Sequence, residues 1–271
     1  MSARENSFII APVCKQFRIR KRARLRCVLA FWYALLVSPV FAQSDAEFVK
    51  ANQDYAQNNF KEAISGYENL VRSGQWSANV FYNLGNAYFR AGDFGRAILN
   101  YERALALERH HPEATANLQI ARDEARALEM QQSWPERYLQ IASINQYVIT
   151  GAVACWLGLF CVVGLIFARH RSAAVIALLI FSLLVFVIAI LAIYELDYGS
   201  KGRALAIVTG KDVQARLATA DTANSVLALP PGSEVKILST RGDWIYAALP
   251  NNLRGWVPAK DTEPVRLSSR S

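Results

Sequence analysis

Residues 147–194 read YVITGAVACWLGLFCVVGLIFA, then RHRS, then AAVIALLIFSLLVFVIAILAIY. The two long runs, Tyr147–Ala168 and Ala173–Tyr194, carry no Asp, Glu, Lys or Arg. At about 22 residues each, either is long enough to cross a hydrocarbon core of about 30 Å as a helix. Arg169-His170-Arg171-Ser172 is too short for anything but a tight antiparallel hairpin, so both outer ends emerge on one side. Basic loops tend to stay cytoplasmic. The segments before and after the hairpin are therefore expected to face away from the cytoplasm together. An ion path needs buried ionisable groups, so spans this uniformly apolar read as an anchor. Ala154 and Gly158 form a small-xxx-small pair that lets the two helices approach closely.

The N-terminus points the same way. Residues 18–26 are RIRKRARLR, followed by the apolar Cys27–Val40 and then Val40-Phe41-Ala42. A basic segment, a short apolar stretch and small residues at −3 and −1 predict a secretory signal over residues 1–42, cleaved after Ala42. The long basic segment leaves an uncleaved signal anchor as the alternative. Either way the chain after it is exported.

Charge then needs rereading. The formal net charge is +8, but residues 1–42 hold eight basic side chains and one acid, Glu5. Removing these from 30 basic and 22 acidic residues leaves 22 against 21. The basic balance reports export and argues against nucleic-acid binding. Cys14 and Cys27 belong to the signal, while Cys155 and Cys161 lie in the first span. No cysteine is left in the soluble parts for a disulfide or a thiolate metal site.

Residues 44–125 repeat with a period of 34, the length of a tetratricopeptide unit. The better copy is Ala78–His111, where Phe81, Leu84-Gly85, Tyr88, Ala97, Tyr101 and Ala104 fall on that family's bulky, Leu-Gly, Tyr, Ala and aromatic positions. A degenerate copy precedes it, with Ala51, Ala63, Tyr67 and Leu70. Pro112 and Leu118 begin a third. This resemblance implies antiparallel helix pairs in which Gly85 and Ala97 are small where helices cross, and Tyr88 and Tyr101 fill between them. Arg90-Ala91-Gly92-Asp93 is the turn. Pro112–Gln131 is expected to be a capping helix that hides the last apolar face.

Stacked pairs of this kind present a groove lined by their first helices. Its expected residues are Asn52 and Tyr55, then Asn79, Tyr82, Asn83, Asn86, Phe89 and Arg90. Amides bond a partner's backbone and rings cover its side chains, which suits an extended peptide or a helix. The alternative is that Asn83 and Asn86 are ordinary repeat residues. Phe48 and Glu113 stand where a carboxylate clamp of such repeats needs cations. Adjacent His110 and His111 diverge and read as a solvated turn, not a metal pair. Trp134-Pro135 is expected to end the helical pattern. Tyr138, Leu139, Ile141 and Ile144 then lead into the first span, with Trp134, Tyr138 and Tyr147 at the headgroups or packed on the repeats.

After the spans the periodicity changes to short β-rich runs: Leu205–Val208, Val213–Arg216, Val226–Leu229, Glu234–Leu238, Trp244–Leu249 and Gly255–Pro258. Turn residues punctuate them. The size suits a small barrel. Val213-x-x-Arg216, Leu229-x-x-Gly232-Ser233-Glu234-Val235, Gly242-Asp243-Trp244 and Gly255-Trp256-Val257-Pro258 resemble bacterial SH3-like domains. Trp244, Tyr246, Trp256 and Pro258 are the candidate aromatic surface for a peptide or a cell-wall stem, with Trp256 alternatively in the core.

The resulting order is signal (1–42), all-α repeats (43–131), connecting interfacial segment (132–146), two-helix transmembrane hairpin (147–194), linker (195–203) and small all-β SH3-like barrel (204–267). That order resembles the BatE-type aerotolerance-operon membrane proteins of bacteria. The resemblance implies an inner-membrane scaffold with extracytoplasmic domains, associated with von Willebrand A-type membrane proteins and a MoxR-type ATPase. Peptidoglycan is the alternative partner. Catalysis finds no support: the three His fall in a repeat turn and the hairpin loop, and no Gly-x-Ser-x-Gly or phosphate loop occurs. No catalytic residue, metal or cofactor is expected.

Overall fold

The computed structural model describes residues 46–167 and 172–267. The expected signal over residues 1–42 and the Arg169–Arg171 joint lie outside them. Five helices open the described chain: α1 (residues 46–56), α2 (Phe60–Arg72), α3 (Ala78–Arg90), α4 (Phe94–Leu107) and α5 (Pro112–Ala125). Their ends follow local chemistry. Ser77 caps α3 by accepting from the Val80 N–H, and Asp93 caps α4 by accepting from Arg96. Between them Gly92 takes φ 77°, which a residue with a side chain rarely adopts. Ala51, Ala63, Tyr67, Leu84, Ala97, Ile98 and Tyr101 form one continuous core with further apolar neighbours. A methyl group on Gly85 would come within 2.7 Å of the Tyr101 ring. The absence of a side chain there is what lets α3 and α4 cross.

Two expectations about this region change. The helix from Pro112 stops at Ala125 and does not reach Gln131. Arg126 turns left-handed at φ 51°, and the Ala127 N–H returns to the Arg122 carbonyl. Trp134-Pro135 begins a helix instead of ending one. Ser133 and Glu136 form a reciprocal capping box, and proline sits in the first turn of α6 (Trp134–Leu139), where its missing N–H would have had no helical partner. Trp134, Tyr138 and Ile141 are 76%, 69% and 78% exposed. Trp134 and Tyr138 do not pack on the repeats, and Tyr147, half-buried, donates to the Leu139 carbonyl at 3.1 Å.

Helices α7 (Ile144–Phe167) and α8 (Ala173–Tyr198) are both long and apolar enough to cross a membrane. They pack antiparallel: a methyl on Gly151 would lie 3.3 Å from the Ala189 Cβ, and one on Gly158 would lie 3.0 Å from the Ser182 Oγ. Ala154, Cys161, Ala189 and Ala192 are buried in the same seam. Small side chains let the backbones close on each other.

Seven strands follow: β1 (Leu205–Val208), β2 (Val213–Arg216), β3 (Ser225–Leu229), β4 (Glu234–Arg241), β5 (Trp244–Ala248), β6 (Arg254–Pro258) and β7 (Thr262–Pro264), with a 3₁₀ turn at Ala259–Asp261. All pairings are antiparallel, in the order β3-β2-β6-β5-β4-β1-β7. Val208, Val213, Leu229, Val235, Ile245 and Val257 meet in one buried cluster. Strands distant in the order therefore face each other, and the sheet curls around its core without closing.

Candidate functional site

The first helices of the repeats, α1, α3 and α5, carry two copies of one hydrogen-bond relay. The Tyr67 hydroxyl donates to the Asn52 Oδ1 at 2.6 Å, and the Asn83 amide donates to the same oxygen at 2.9 Å. One repeat later the Tyr101 hydroxyl donates to the Asn86 Oδ1 at 2.7 Å, and the Asn117 amide joins it at 2.8 Å. Burial pushes Tyr67 up to about 12, against a hydrogen bond that lowers it, and raises Tyr101 further. Both hydroxyls stay protonated and stay donors.

Aromatic side chains repeat as well. Tyr55 meets Phe60 edge-on at 5.6 Å, and Phe89 meets Phe94 at 5.4 Å. Arg90 lies 4.9 Å over Phe60 and reaches Asn58 at 3.4 Å, tying the second repeat to the first. All the expected groove residues except Asn79 thus share one lattice. Asn52, Tyr55, Tyr82, Asn83, Asn86 and Phe89 are half-buried within it, while Asn79 and Arg90 are exposed. The carbonyl oxygens of Asn52 and Asn86 each accept two of these bonds. Tyr82 accepts from Asn117 at 3.3 Å and lies 4.8 Å from the His111 ring. His111 is a correction: it does not sit in a solvated turn but caps α5, its Nδ1 accepting from the Ala114 N–H. Asn117, Phe60 and Phe94 were missed. Moving Asn83, Tyr55 and Phe89 by one repeat, or looking one helix further, would have found them.

On the sheet, β5 and β6 alternate. Ile245, Ala247, Gly255 and Val257 point inward, and Trp244, Tyr246, Trp256 and Pro258 point outward, half-buried. Trp244 pairs across from Pro258 and Tyr246 from Trp256, whose rings lie 5.0 Å apart. All four expected residues share one face, and Trp256 is outside the core. Trp244 and Pro258 border a cavity of about 500 Å³ whose rim carries Lys211, Arg216, Asp243 and Lys260. Tyr246 and Trp256 lie beyond it.

The repeats and the sheet meet, a contact that the sequence did not signal. Residues 127–130 run along the start of β4. The Glu234 N–H donates to the Leu128 carbonyl at 2.8 Å, Leu128 donates to the Ser233 Oγ, and Met130 donates to the Glu234 Oε2 at 2.9 Å. Gly232, at φ 86°, lies directly against Ile98 of α4. At the centre Arg122 binds Glu102 at 2.5 Å, also binds Glu234, and meets Glu129 at 3.1 Å; Lys201 reaches Glu234 at 3.3 Å. Glu234 is fully buried. Burial raises the Glu102 carboxyl, with Lys201 and Arg122 opposing. Arg103 adds a bond to Glu263 at 3.3 Å.

The tetratricopeptide repeat family matches residues 78–111, which cover α3, α4 and the turn after them. No curated protein matches the chain. Tetratricopeptide repeats serve generally to bind protein partners, and the matched unit is the α3–α4 pair.

Proposed function

We propose that this chain is a non-enzymatic membrane scaffold whose repeats recruit protein partners on the extracytoplasmic side. The observation that carries this reading is the join between modules. A tetratricopeptide-matched repeat unit and a β-module, both attached to one apolar hairpin, are locked together through Arg122 and Glu234. Such a body presents its groove at a fixed height above the membrane. The β-module is read as an SH3-like domain and the whole as similar to BatE-type proteins, with von Willebrand A-type membrane proteins as candidate partners. The basic hairpin joint and the N-terminal signal pattern support the sidedness.

Affinity capture of the tagged, detergent-solubilised chain, followed by mass spectrometry, tests the groove. Asn79→Lys changes an exposed groove position and Arg90→Glu one that also contacts Phe60 and Asn58, so both variants are first checked for an unchanged melting midpoint. Loss of the same membrane proteins from both variants is the expected result. Unchanged recovery would remove the groove from this role.

The outward Trp244, Tyr246, Trp256 and Pro258 face favours a second reading, in which the β-module binds peptidoglycan. Retention on purified peptidoglycan that is lost in a folded Trp244→Ala variant would support it.

A further inference from the structure

Where the hairpin meets the two modules lies a cavity of about 830 Å³. Its walls come from the end of α4, the first turn of α7, the last turns of α8 and the chain after β7. Four guanidiniums line it, Arg103, Arg109, Arg203 and Arg266, against the carboxylates of Asp197 and Glu108. Asp197 is shared by Arg203 at 2.6 Å and Arg266 at 3.5 Å. Arg109 has no carboxylate partner among the described residues; it is held by the backbone carbonyls of Gln140 and Ala142. Arg103 bonds Glu263 at 3.3 Å and the Pro264 carbonyl at 3.1 Å through one nitrogen, while its buried Nε has no acceptor among the described residues. A buried, orphaned guanidinium N–H costs free energy unless something accepts from it. Ser143 and Gln146 cap each other at the start of α7, and a helix N-terminus favours an anion.

We infer that this cavity binds the phosphate-bearing headgroup of an anionic phospholipid. Its place decides between a lipid and a free phosphate ester. Ile144 and Ile193, which line it, belong to the two candidate spans, and Trp76 and Leu107 extend the apolar wall. Trp134 and Tyr138 are exposed on α6, which packs on α8, and the Tyr194 and Tyr198 rings stack at 5.1 Å at the end of α8; rings of this kind collect at a membrane–water boundary. A phosphate held by the arginines leaves its acyl chains against apolar helix faces. The inference rests on the proposed membrane reading of α7 and α8.

The test places the full-length protein in nanodiscs of phosphatidylcholine with a minority of phosphatidylglycerol, then measures the lipids retained after gentle extraction by native mass spectrometry. The expected result is preferential retention of phosphatidylglycerol. Arg266→Gln and, separately, Arg109→Gln should each reduce it by about fivefold, the equivalent of one basic residue near an anionic surface. Arg241→Gln, at the far end of β4, should leave it unchanged. Arg266 is half-exposed with one long ion pair, so its variant keeps the test open if Arg109→Gln unfolds. Entry into nanodiscs with no lipid preference, or with equal retention in the Arg266 variant, overturns the inference alone. If soluble glycerol 3-phosphate added alongside removes the preference, the ligand is the free ester and the lipid assignment falls. A wild-type chain that does not enter nanodiscs overturns the membrane reading and this inference with it.

Discussion

Tyr67, Tyr88 and Tyr101 are the residues on which the repeat lattice turns, and each is held protonated by burial; a bond to Glu68 adds to this at Tyr88. The folded chain keeps these protons above pH 10, where an unfolded tyrosine releases them. Unfolding then loses protons, so stability is intact below pH 10 and falls as pH rises toward 12, by about 1.4 kcal/mol per pH unit for each tyrosine. Tyr101→Phe should remove one such contribution from the alkaline slope in denaturant titrations. An unaltered slope would mean that Tyr101 titrates normally. Arg122 offers the opposite case, a cation between two buried carboxylates. Arg122→Met leaves Glu102 and Glu234 without it, and removing one partner of a buried pair costs about 3–5 kcal/mol. The lower end is expected, because Lys201 stays 3.3 Å from Glu234. A melting midpoint equal to wild type would show that the network is dispensable.

Among the elements, legibility tracked locality. The α3–α4 pair was readable because Gly85, Gly92 and Asp93 each impose a conformation on their own neighbourhood. Six of the strands were readable to within a few residues from alternation and turns; β7, three residues paired with β1, was not. The end of α5 was not: the residues after Arg126 leave the helix and bond to Ser233 and Glu234, more than a hundred positions away in the chain. No local pattern announces such a partner. Trp134-Pro135 misled for a different reason, since proline both ends helices and starts them, and only the Ser133–Glu136 box decides which. The groove side chains were legible by type, yet their mutual bonding was not, because one asparagine can face a ligand or a neighbouring helix. The long-range contact yields its own test. Gly232→Val, strained at φ 86° and driven into Ile98, should separate α4 from the β-module. Faster hydrogen exchange at Leu128, Met130 and Glu234, with α2 unaffected, is the expected signature. Unchanged protection there would mean that the junction tolerates the wedge.

At the scale of the whole molecule, one geometric fact constrains the rest: α7 begins and α8 ends at the same end of the hairpin. Lys236 bonds the Tyr198 carbonyl, and Glu136 accepts from both the backbone and the hydroxyl of Ser200. The repeats, the β-module and α6 are thus fastened together at that end of the hairpin. A topology that put the repeats and the β-module on opposite sides of a membrane would have to break these bonds and the buried Arg122–Glu234 pair together. Reporters that are active only outside the cytoplasm should therefore give one signal when fused after Leu107 and after Ser271, and the opposite signal at Arg171. Positive signals at the first two sites support export of both modules. Matching cytoplasmic signals there would keep the fold but reverse the sidedness drawn from the basic joint. Opposite signals at Leu107 and Ser271 would contradict the packing itself, because no hairpin can hold both modules at one end and deliver them to different compartments.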